Sequence, residues 1–253
     1  MNKIALITGA TSGIGEATAM KFANEGWNII ITGRRADRLE LLADKLRSTS
    51  IRVLPLAFDV RDRHEVEIYL GHLPSEWRDV DVLINNAGLA AGLSPIQEGD
   101  IDDWERMIDT NVKGMLYVTR AIAPGMIDRK QGQIINIGSI AGKEVYPNGN
   151  VYCASKHAVD AISKAMRIDM LPYNIRVTQI CPGAVETEFS LVRFHGDQQR
   201  ADQVYDGFEN LVAEDIAECI WFCVSRPPHV NINDMIVMPT AQANGMLFHK
   251  ENR

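Results

Sequence analysis

The sequence predicts an α/β fold: one doubly wound parallel sheet of about seven strands with helices on both faces. Strand-like apolar segments alternate with helical segments along the chain, which is typical of repeated β-α-β units with right-handed crossovers. Apolar residues run continuously in Ile4–Ile7 and Ile29–Ile31, which indicates strands covered on both faces. Because no linker, repeat or low-complexity tract divides the 253 residues, we expect a single domain over 1–253.

The alternation assigns each element to a segment of the chain. The expected strands are Lys3–Thr8, Asn28–Thr32, Arg52–Ala57, Asp81–Asn85, Gln133–Gly138, Ile175–Cys181 and Met235–Met238. The expected helices cover 14–25, 36–48, 62–72, 103–129, 152–172 and 214–225. Gly26 follows the first helix where a C-terminal cap is expected. Asp62 and Glu65 fit the cap and the third position of a later helix.

The composition excludes several classes of protein. Hydrophobic residues make up 46% of the chain, charged residues 23%, and the formal net charge is -7. This negative charge disfavours nucleic acid and anionic membranes as partners, since both need clustered cationic surface. The start of the chain, Met1–Thr8, runs directly into a strand and shows no signal-peptide pattern, and its apolar run is far shorter than the roughly 20 residues of a membrane span. We therefore expect a cytoplasmic protein.

The four cysteines, Cys153, Cys181, Cys219 and Cys223, show no pairing framework, as expected of a reduced protein. Cys219 and Cys223 stand four residues apart in a helical pattern, which would allow a shared metal ion. No histidine or further cysteine lies at ligand spacing. We therefore interpret them as small buried hydrophobic residues and expect no metal.

Two segments fall outside the alternation of strands and helices. Residues 185–213 are polar and mixed and follow the carboxyl end of a strand, which is where ligands bind in an open α/β sheet. We interpret this segment as a substrate lid. The tail 239–253 carries the apolar residues Met246, Leu247 and Phe248. It has no obvious partner in its own domain, so it covers either the site or a neighbouring subunit.

A glycine-rich turn, Thr8–Gly15, joins the first strand to the first helix. Its spacing differs from the usual dinucleotide fingerprint, but Gly9 permits the tight turn, Gly13 lets the backbone approach a pyrophosphate, and Gly15 allows close helix–strand packing. The exposed N–H groups and the positive helix end favour a phosphate. The turn therefore predicts a Rossmann-type dinucleotide site. Its expected phosphate contacts are Gly9, Ala10, Thr11, Ser12, Gly13 and Ile14.

The end of the second strand distinguishes between the two nicotinamide cofactors. An NAD site usually has an Asp or Glu there, whereas this chain has Arg34 and Arg35. Guanidinium groups suit a 2′-phosphate, because they are always charged and bind phosphate bidentately. The alternative is a solvated helix start, with Asp37 nearby as a competing carboxylate. Together with the glycine-rich turn, the arginine pair predicts NADP(H).

Tyr152 and Lys156 stand four residues apart at the start of a predicted helix, so both project from one face. A phenol with a pKa of about 10 is a poor base. An ammonium about 4 Å away would lower that pKa by roughly three units, into the range of general acid–base catalysis. Ser139 ends a strand and is expected to hold the substrate oxygen beside the phenol. The tyrosine and lysine alone would be ordinary surface amphipathicity; Ser139 and Asn111 make them a candidate catalytic site.

These motifs together resemble the short-chain dehydrogenase/reductase family over essentially the whole chain. The matching segments, in family order and spacing, are Thr8–Gly15, Asp59-Val60, Asn85–Gly88, Asn111, Ser139, Tyr152–Lys156, and Pro182-Gly183 with Thr187. The resemblance implies that Tyr152 is the general acid/base and that Lys156 lowers its pKa and holds the nicotinamide ribose. It also implies that Ser139 orients the substrate oxygen. Asn111 would support a water that passes protons to Lys156.

The resemblance further implies a series of contacts along the cofactor, beside Pro182 and Gly183. They are adenine contacts from Asp59 and Val60, ribose contacts from Asn86, Ala87 and Gly88, and carboxamide contacts from Val185 and Thr187. Two of these residues have simpler interpretations that hold equally well. Asn86 is expected to cap a strand end, and Asp59 to form a turn.

A narrower resemblance, to the NADP-dependent 3-hydroxy acid dehydrogenases (serine or allo-threonine dehydrogenases), is carried by 73–77, 103–111, 188–194 and 230–233. It implies oxidation of the 3-hydroxyl of a short 3-hydroxy acid, or reduction of the semialdehyde or 3-keto acid. Such a substrate needs a cationic anchor, for which we favour Arg193 in the lid, since a guanidinium binds a carboxylate bidentately. A surface or intersubunit role for Arg193 is the alternative, and Lys143 is a second candidate anchor.

Two competing functions stay open. A 3-ketoacyl-thioester reductase or other carbonyl reductase would use the same catalytic residues. A non-catalytic NADP-binding regulator would not require Tyr152, Lys156 and Ser139. The predicted helices at 103–129 and 152–172 carry apolar residues around much of their circumference, which indicates association. Since the family is mostly dimeric or tetrameric through such helices, we predict a homotetramer.

Overall fold

The computed structural model describes residues 2–250 and shows the predicted parallel sheet. Its strands are β1 Ile4–Thr8, β2 Asn28–Gly33, β3 Val53–Ala57, β4 Val82–Asn85, β5 Gly132–Ile137, β6 Ile175–Pro182 and β7 Asp234–Val237. All neighbouring strands pair in parallel, in the order β3-β2-β1-β4-β5-β6-β7. The order reverses between β1 and β4, and an open α/β sheet binds its ligand at such a reversal.

Helices connect the strands on both sides of the sheet. They are α1 Gly13–Asn24, α2 Ala36–Arg47, α3 Arg63–Gly71, α4 Ile101–Ile108, α5 Met115–Arg129, α6 Asn150–Met170, α7 Glu188–Arg193, α8 Gln198–Gln203 and α9 Ala213–Val224. The single helix predicted over 103–129 is α4 and α5, joined by a π-helical turn at Asp109–Gly114. The segment 185–213, for which no element was predicted, contains α7 and α8.

Two hydrophobic cores explain the continuous apolar strands. Ala5 and Ile7 of β1 pack with α1, α2 and α9 on one face of the sheet. Ile4 and Leu6, the alternate residues of the same strand, pack with α3, α5 and α6 on the other face. Every residue of β1 is therefore buried, so the strand needs no alternation of polar and apolar residues. The predicted class, an α/β domain with helices on both faces, is confirmed.

The predicted helix ends are confirmed in part. Gly26 follows α1 with a φ of +78°, the left-handed conformation expected of a C-terminal cap. The Asp62 carboxylate accepts hydrogen bonds from the backbone N–H groups of His64 and Glu65 and so caps α3. The Glu65 carboxylate does not return to the cap residue; it accepts the backbone N–H of Asp59 at 2.9 Å. It fixes the turn after β3 instead.

The two cysteines at helical spacing lie in the hydrophobic core. Cys223 and Cys219 of α9 lie in the core against α1, the first fully buried and the second half-buried, where they act as small hydrophobic residues. Within residues 2–250, no His, Cys, Asp and Glu side chains form a group of three that could hold a metal ion. No helix in that same range is long and apolar enough to cross a membrane.

Candidate active site

A cavity of about 550 Å³ opens where the sheet order reverses, at the carboxyl ends of the strands. Most of the predicted cofactor, catalytic and substrate residues line it. They are Gly9, Thr11, Ser12, Gly13, Ile14, Arg34, Arg35, Asp59, Val60, Asn86, Ala87, Gly88, Ser139, Tyr152, Lys156, Pro182, Gly183, Val185, Thr187 and Arg193. Two predicted residues lie behind the wall instead. Ala10 and Asn111 are buried, at 0% and 2% exposure, so neither side chain faces the cavity.

The glycine-rich turn has the shape of a phosphate cradle. Gly9 and Gly13 have φ angles of +66° and +54°, a conformation that costs L side chains energy. A Cβ on Gly15 would lie 2.3 Å from the carbonyl oxygen of Gly9, so only glycine lets α1 start this close to β1. Ser12, at the N-cap position of α1, makes no side-chain cap hydrogen bond. The first N–H groups of α1 therefore face the cavity as donors for an anion.

Replacing Gly15 with alanine is expected to destabilise the fold by about 3 kcal/mol, because the added methyl overlaps backbone atoms that have no room to move. Urea unfolding followed by circular dichroism measures the loss. Gly71→Ala is the matched control, since its Cβ would meet only the flexible Glu67 side chain at 3.8 Å. An equal effect of both substitutions would contradict the close-packing role of Gly15.

Asn86 stabilises this glycine-rich turn through hydrogen bonds. Its side-chain amide donates to the carbonyl oxygens of Thr8 and Gly9 at 2.9 and 3.1 Å. The Thr8 hydroxyl in turn accepts the backbone N–H groups of Asn86 and Ala87. The end of β4 is therefore tied to the end of β1, which supports the interpretation of Asn86 as a strand-end cap. Asn86 also lines the cavity, so a ribose contact stays a prediction.

The arginines after β2 lie at the same end of the cavity. Arg35 donates to the Thr11 and Ser12 hydroxyls at 2.9 and 3.1 Å, which places its guanidinium on the glycine-rich turn. Arg34 is exposed at the cavity edge. The carboxylate that pairs with Arg35 is Glu188 of α7, at 2.9 Å, a residue to which the sequence analysis gave no role. Two guanidinium groups beside an anion cradle fit a phosphate-bearing dinucleotide.

Two other predicted cofactor residues have structural partners. Asp59 binds Arg61 through both carboxylate oxygens and accepts the N–H of Asp62 on its carbonyl, as a turn former does. Burial raises the pKa of Asp59, but the hydrogen bonds from Arg61 outweigh it and the net pKa is lowered. Thr187 caps α7 by accepting the N–H of Phe189. Both side chains line the cavity, and their contacts with adenine and carboxamide stay predictions.

Tyr152, Ser139 and Lys156 meet at the centre of the cavity. Tyr152 lies in the first turn of α6 and is 9% exposed. Ser139 follows β5 and lines the same cavity as the Tyr152 phenol. The Lys156 ammonium donates to the carbonyl oxygen of Ile137 at 2.9 Å and lies 6.0 Å from the centre of the Tyr152 ring. The structure thus brings together the three residues predicted for proton transfer.

The prediction that Lys156 lowers the pKa of the Tyr152 phenol is wrong for the protein by itself. Burial is the largest influence and raises the pKa of Tyr152, while Arg193 and Ser139 act in the opposite direction. Burial also lowers the pKa of Lys156 to about 8, since a low dielectric disfavours the charged form. The spacing of Tyr152 and Lys156 in the sequence does not show this desolvation. The cation nearest the phenol ring is Arg193, whose guanidinium lies 4.9 Å from the ring centre.

Lys156→Met is expected to stabilise the fold at pH 7 by roughly 1–3 kcal/mol, because it removes a buried charge. Lys156 has a folded pKa of about 8, below the 10.5 of a free lysine, so between these values the unfolded chain binds more protons. The wild type therefore gains stability as pH rises through this window. Urea unfolding at several pH values should show the advantage of the variant shrinking from pH 8 to 10. A constant difference would contradict a charged, desolvated Lys156.

Asn111 lies in the π-helical turn between α4 and α5. Its amide accepts the N–H of Leu89 and donates to the carbonyl oxygen of Leu89, each at 2.8 Å, and also donates to the Ser155 hydroxyl. A Cβ at Gly88 would lie 3.2 Å from the Asn111 oxygen and 3.6 Å from the Lys156 nitrogen. Gly88 therefore leaves a gap that both polar atoms border. A water relay through this gap stays a prediction.

Arg193 lies in the cavity beside Tyr152 and Phe189. Its guanidinium donates to the Tyr146 hydroxyl at 2.9 Å and lies against the rings of Tyr152 and Phe189. Among residues 2–250, its buried Nε has no hydrogen-bond partner. The prediction of Lys143 as a second candidate anchor is wrong. Its ammonium pairs with Asp160 and Asp234, and the residue does not line the cavity. Tyr146 lines the same cavity and was not singled out from the sequence.

Residues of the predicted lid and of the tail line this end of the cavity. In the lid, Ser190, Val192 and Phe194 line it. From the tail, Gln242 accepts the N–H of Ala184 at 2.8 Å, and Phe248 also lines the cavity. Of the two alternatives for the tail, the structure shows it over the site of its own chain. The last three residues of the tail, 251–253, lie outside the described residues.

A parallel sheet with a phosphate cradle and a Ser-Tyr-Lys centre defines a dinucleotide-dependent oxidoreductase. The chain belongs to the short chain dehydrogenase family, whose pattern matches residues 3–197, and the family resemblance is confirmed. It is 48% identical over 249 residues to the NADP-dependent 3-hydroxy acid dehydrogenase YdfG of Salmonella typhi, covering 98% of this chain and 99% of that protein.

Two further relatives extend the comparison. Sulfoacetaldehyde reductase 2 of Chromohalobacter salexigens is 47% identical over 244 residues, which are 96% of each chain. The closed form of a serine dehydrogenase complexed with NADP+ superposes with a TM-score of 0.93 at 45% identity, covering 98% of this chain and all of that one. The similarity therefore extends over residues 185–213 and the tail as well as the dinucleotide half.

Proposed function

We propose that the chain is an NADP-dependent oxidoreductase that oxidises the 3-hydroxyl of short 3-hydroxy acids, of the serine, allo-threonine and 3-hydroxypropionate type, or reduces the corresponding semialdehyde or 3-keto acid. One observation carries the proposal: the Arg193 guanidinium lies 4.9 Å from the ring of Tyr152. A cation this close to the proton-transfer residue selects a substrate with an anionic group a few bonds from the reacting carbon. The names of the relatives support it, since a hydroxy acid and sulfoacetaldehyde both carry such a group.

NADP is the cofactor. Arg34 and Arg35 at the phosphate cradle support it, as do the relatives named NADP-dependent and the neighbour solved with NADP+. When bound, NADP(H) would supply the hydride acceptor for oxidation of the alcohol carbon and the hydride donor for reduction of the carbonyl carbon. Ser139 holds the substrate oxygen, and Tyr152 takes the hydroxyl proton in oxidation or gives it back in reduction.

The electrostatics of the site assign a role to each cation. Burial raises the pKa of Tyr152, so the phenol is protonated in the protein alone and is a ready acid for reduction. For oxidation the phenol must lose its proton, and the positive charge of Arg193 and the hydroxyl of Ser139 favour the phenolate. Asn111 borders the gap beside Lys156 and would hold the water through which the proton leaves.

We also infer the oligomeric state of the protein and its location in the cell. Ile168 and Leu171, at the end of α6, are 74% and 75% exposed, and two such apolar side chains at one helix end favour burial by another subunit. We infer a homotetramer that works in the cytoplasm, with 185–213 as the substrate lid of a single domain over 1–253.

Purified protein, assayed for NADPH formation at 340 nm with 3-hydroxypropionate, L-serine and L-allo-threonine, tests the reaction. We expect turnover of at least one of these acids, faster with NADP+ than with NAD+. In the reverse direction, sulfoacetaldehyde and a 3-ketoacyl thioester are compared at equal concentration. Reduction of the thioester without turnover of any acid would support a ketoacyl-thioester reductase instead. NADP+ binding without any turnover would support a non-catalytic regulator.

A further inference from the structure

One ion-pair cluster at the cofactor end of the cavity has no role in the proposed proton transfer. The Glu188 carboxylate, in the first turn of α7, accepts from Arg38 on one oxygen at 2.6 Å and from Arg35 on the other at 2.9 Å. Each oxygen therefore has its own guanidinium. We call Arg35, Arg38 and Glu188 the arginine clasp. The clasp joins the lid to the start of α2, across the edge of the cavity.

The clasp lies on the glycine-rich turn. Its Arg35 also donates to the hydroxyls of Thr11 and Ser12. Thr187, the residue before the clasp glutamate, packs on the turn, because a Cβ at Gly13 would lie 3.1 Å from its methyl group. The guanidinium groups and the turn thus form one continuous surface where the pyrophosphate and the adenosine ribose of a dinucleotide would lie, and the first turn of α7 borders that surface.

The Glu188 carboxyl group of the clasp is ionised. Partial burial raises the pKa of Glu188, but hydrogen bonds from Arg38 and Arg35 outweigh it and the net pKa is lowered. The side chain is 40% exposed, and those of Arg35 and Arg38 are 39% and 43% exposed. A ligand arriving from water therefore reaches both guanidinium groups. A phosphate monoester and a carboxylate compete for such groups because both accept charge-assisted hydrogen bonds from the guanidinium fork.

We propose that Glu188 stands in the position of the cofactor's 2′-phosphate between Arg35 and Arg38, competes with that phosphate, and thereby weakens the preference for NADP over NAD. The proposal rests on NADP being the cofactor, as proposed above. It makes Arg38 a third phosphate ligand beside Arg34 and Arg35. Arg38 stands three residues after Arg35, so both side chains emerge from one face at the start of α2.

Direct binding measures the competition without catalysis. Isothermal titration calorimetry is used with NADP+, NAD+ and adenosine 2′,5′-bisphosphate, which carries the 2′-phosphate but no nicotinamide. For Glu188→Gln we expect about fivefold tighter binding of NADP+ and of the bisphosphate, as removing one partly screened like charge allows. The dissociation constant for NAD+ should stay within about twofold, since NAD+ brings no anion to the clasp.

Two further variants separate the clasp from general effects. Glu186→Gln removes the same charge from an exposed lid residue two positions earlier and should leave all three constants unchanged. Arg38→Gln should weaken NADP+ and the bisphosphate by about tenfold and spare NAD+, because one charge-assisted hydrogen bond to phosphate is lost. Thermal unfolding of each variant shows whether it is folded.

The outcomes distinguish the two proposals. A wild type that binds NADP+ no more tightly than NAD+ overturns the cofactor assignment, and the clasp proposal with it. A wild type that prefers NADP+, with Glu188→Gln unchanged or weaker, overturns the clasp proposal alone and leaves the glutamate as a tether of the lid. An equal gain for NAD+ and NADP+ also overturns it, since the effect would then not depend on the 2′-phosphate.

Discussion

Tyr152→Phe is expected to lower kcat by about 10³-fold in both directions, since a positioned general acid or base contributes 10²–10⁴. The substitution removes one oxygen from a ring that is buried at the centre of the cavity, so the packing of α6 is preserved. The dissociation constant for NADP+, measured by calorimetry, should change by less than about threefold, because phosphate contacts dominate cofactor affinity. Retention of more than a tenth of kcat would exclude Tyr152 as the proton-transfer residue.

Tyr146→Phe is the matched control, because it deletes a phenol oxygen from the same cavity. Tyr146 accepts a hydrogen bond from Arg193 at 2.9 Å, so its loss should raise KM and lower kcat by less than about tenfold. The pH profiles add a second test. Since burial raises the pKa of Tyr152, oxidation should accelerate towards alkaline pH, and reduction should slow there.

The fold could be predicted from local pattern because its signals are strong. Continuous apolar strands alternating with amphipathic helices leave few arrangements other than a doubly wound parallel sheet. The two short helices α7 and α8 were missed because they have six residues each and little apolar periodicity. The π-helical turn at Asp109–Gly114 was missed as well. Asn111 in this turn binds the backbone of Leu89, a contact between distant residues that local propensity does not contain.

The residues of the site could be predicted better than their partners. Motif spacing located Tyr152 and Lys156, but the pKa directions depend on burial, which spacing does not give. The carboxylate on Arg35 comes from 153 residues away, and no sequence pattern links the two. Arg38 carried a usable signal, since it follows Arg35 by three positions at a helix start.

Arg193→Met is expected to raise KM for 3-hydroxypropionate by about 100-fold, the loss for a charge-assisted, partly buried contact of about 3 kcal/mol. Methionine keeps the apolar contact with the rings of Tyr152 and Phe189 and removes only the charge and the donors. An uncharged alcohol such as 1-propanol should keep its KM within about threefold, because it brings no anion to the anchor. Steady-state kinetics at the pH optimum of each variant separates KM from kcat.

Arg226→Met is the control for this prediction. Arg226 follows α9 and stacks on Phe222, with its guanidinium 4.3 Å from the ring centre, and it lines neither the cofactor cavity nor the pocket beside it. It should therefore leave KM for both substrates unchanged. Arg193→Lys should recover only part of the affinity, because a single ammonium cannot bind Tyr146 and a carboxylate in the fork geometry of a guanidinium. Equal losses on the acid and the uncharged alcohol in Arg193→Met would remove Arg193 as the anchor and leave it as a ring-packing residue of the lid.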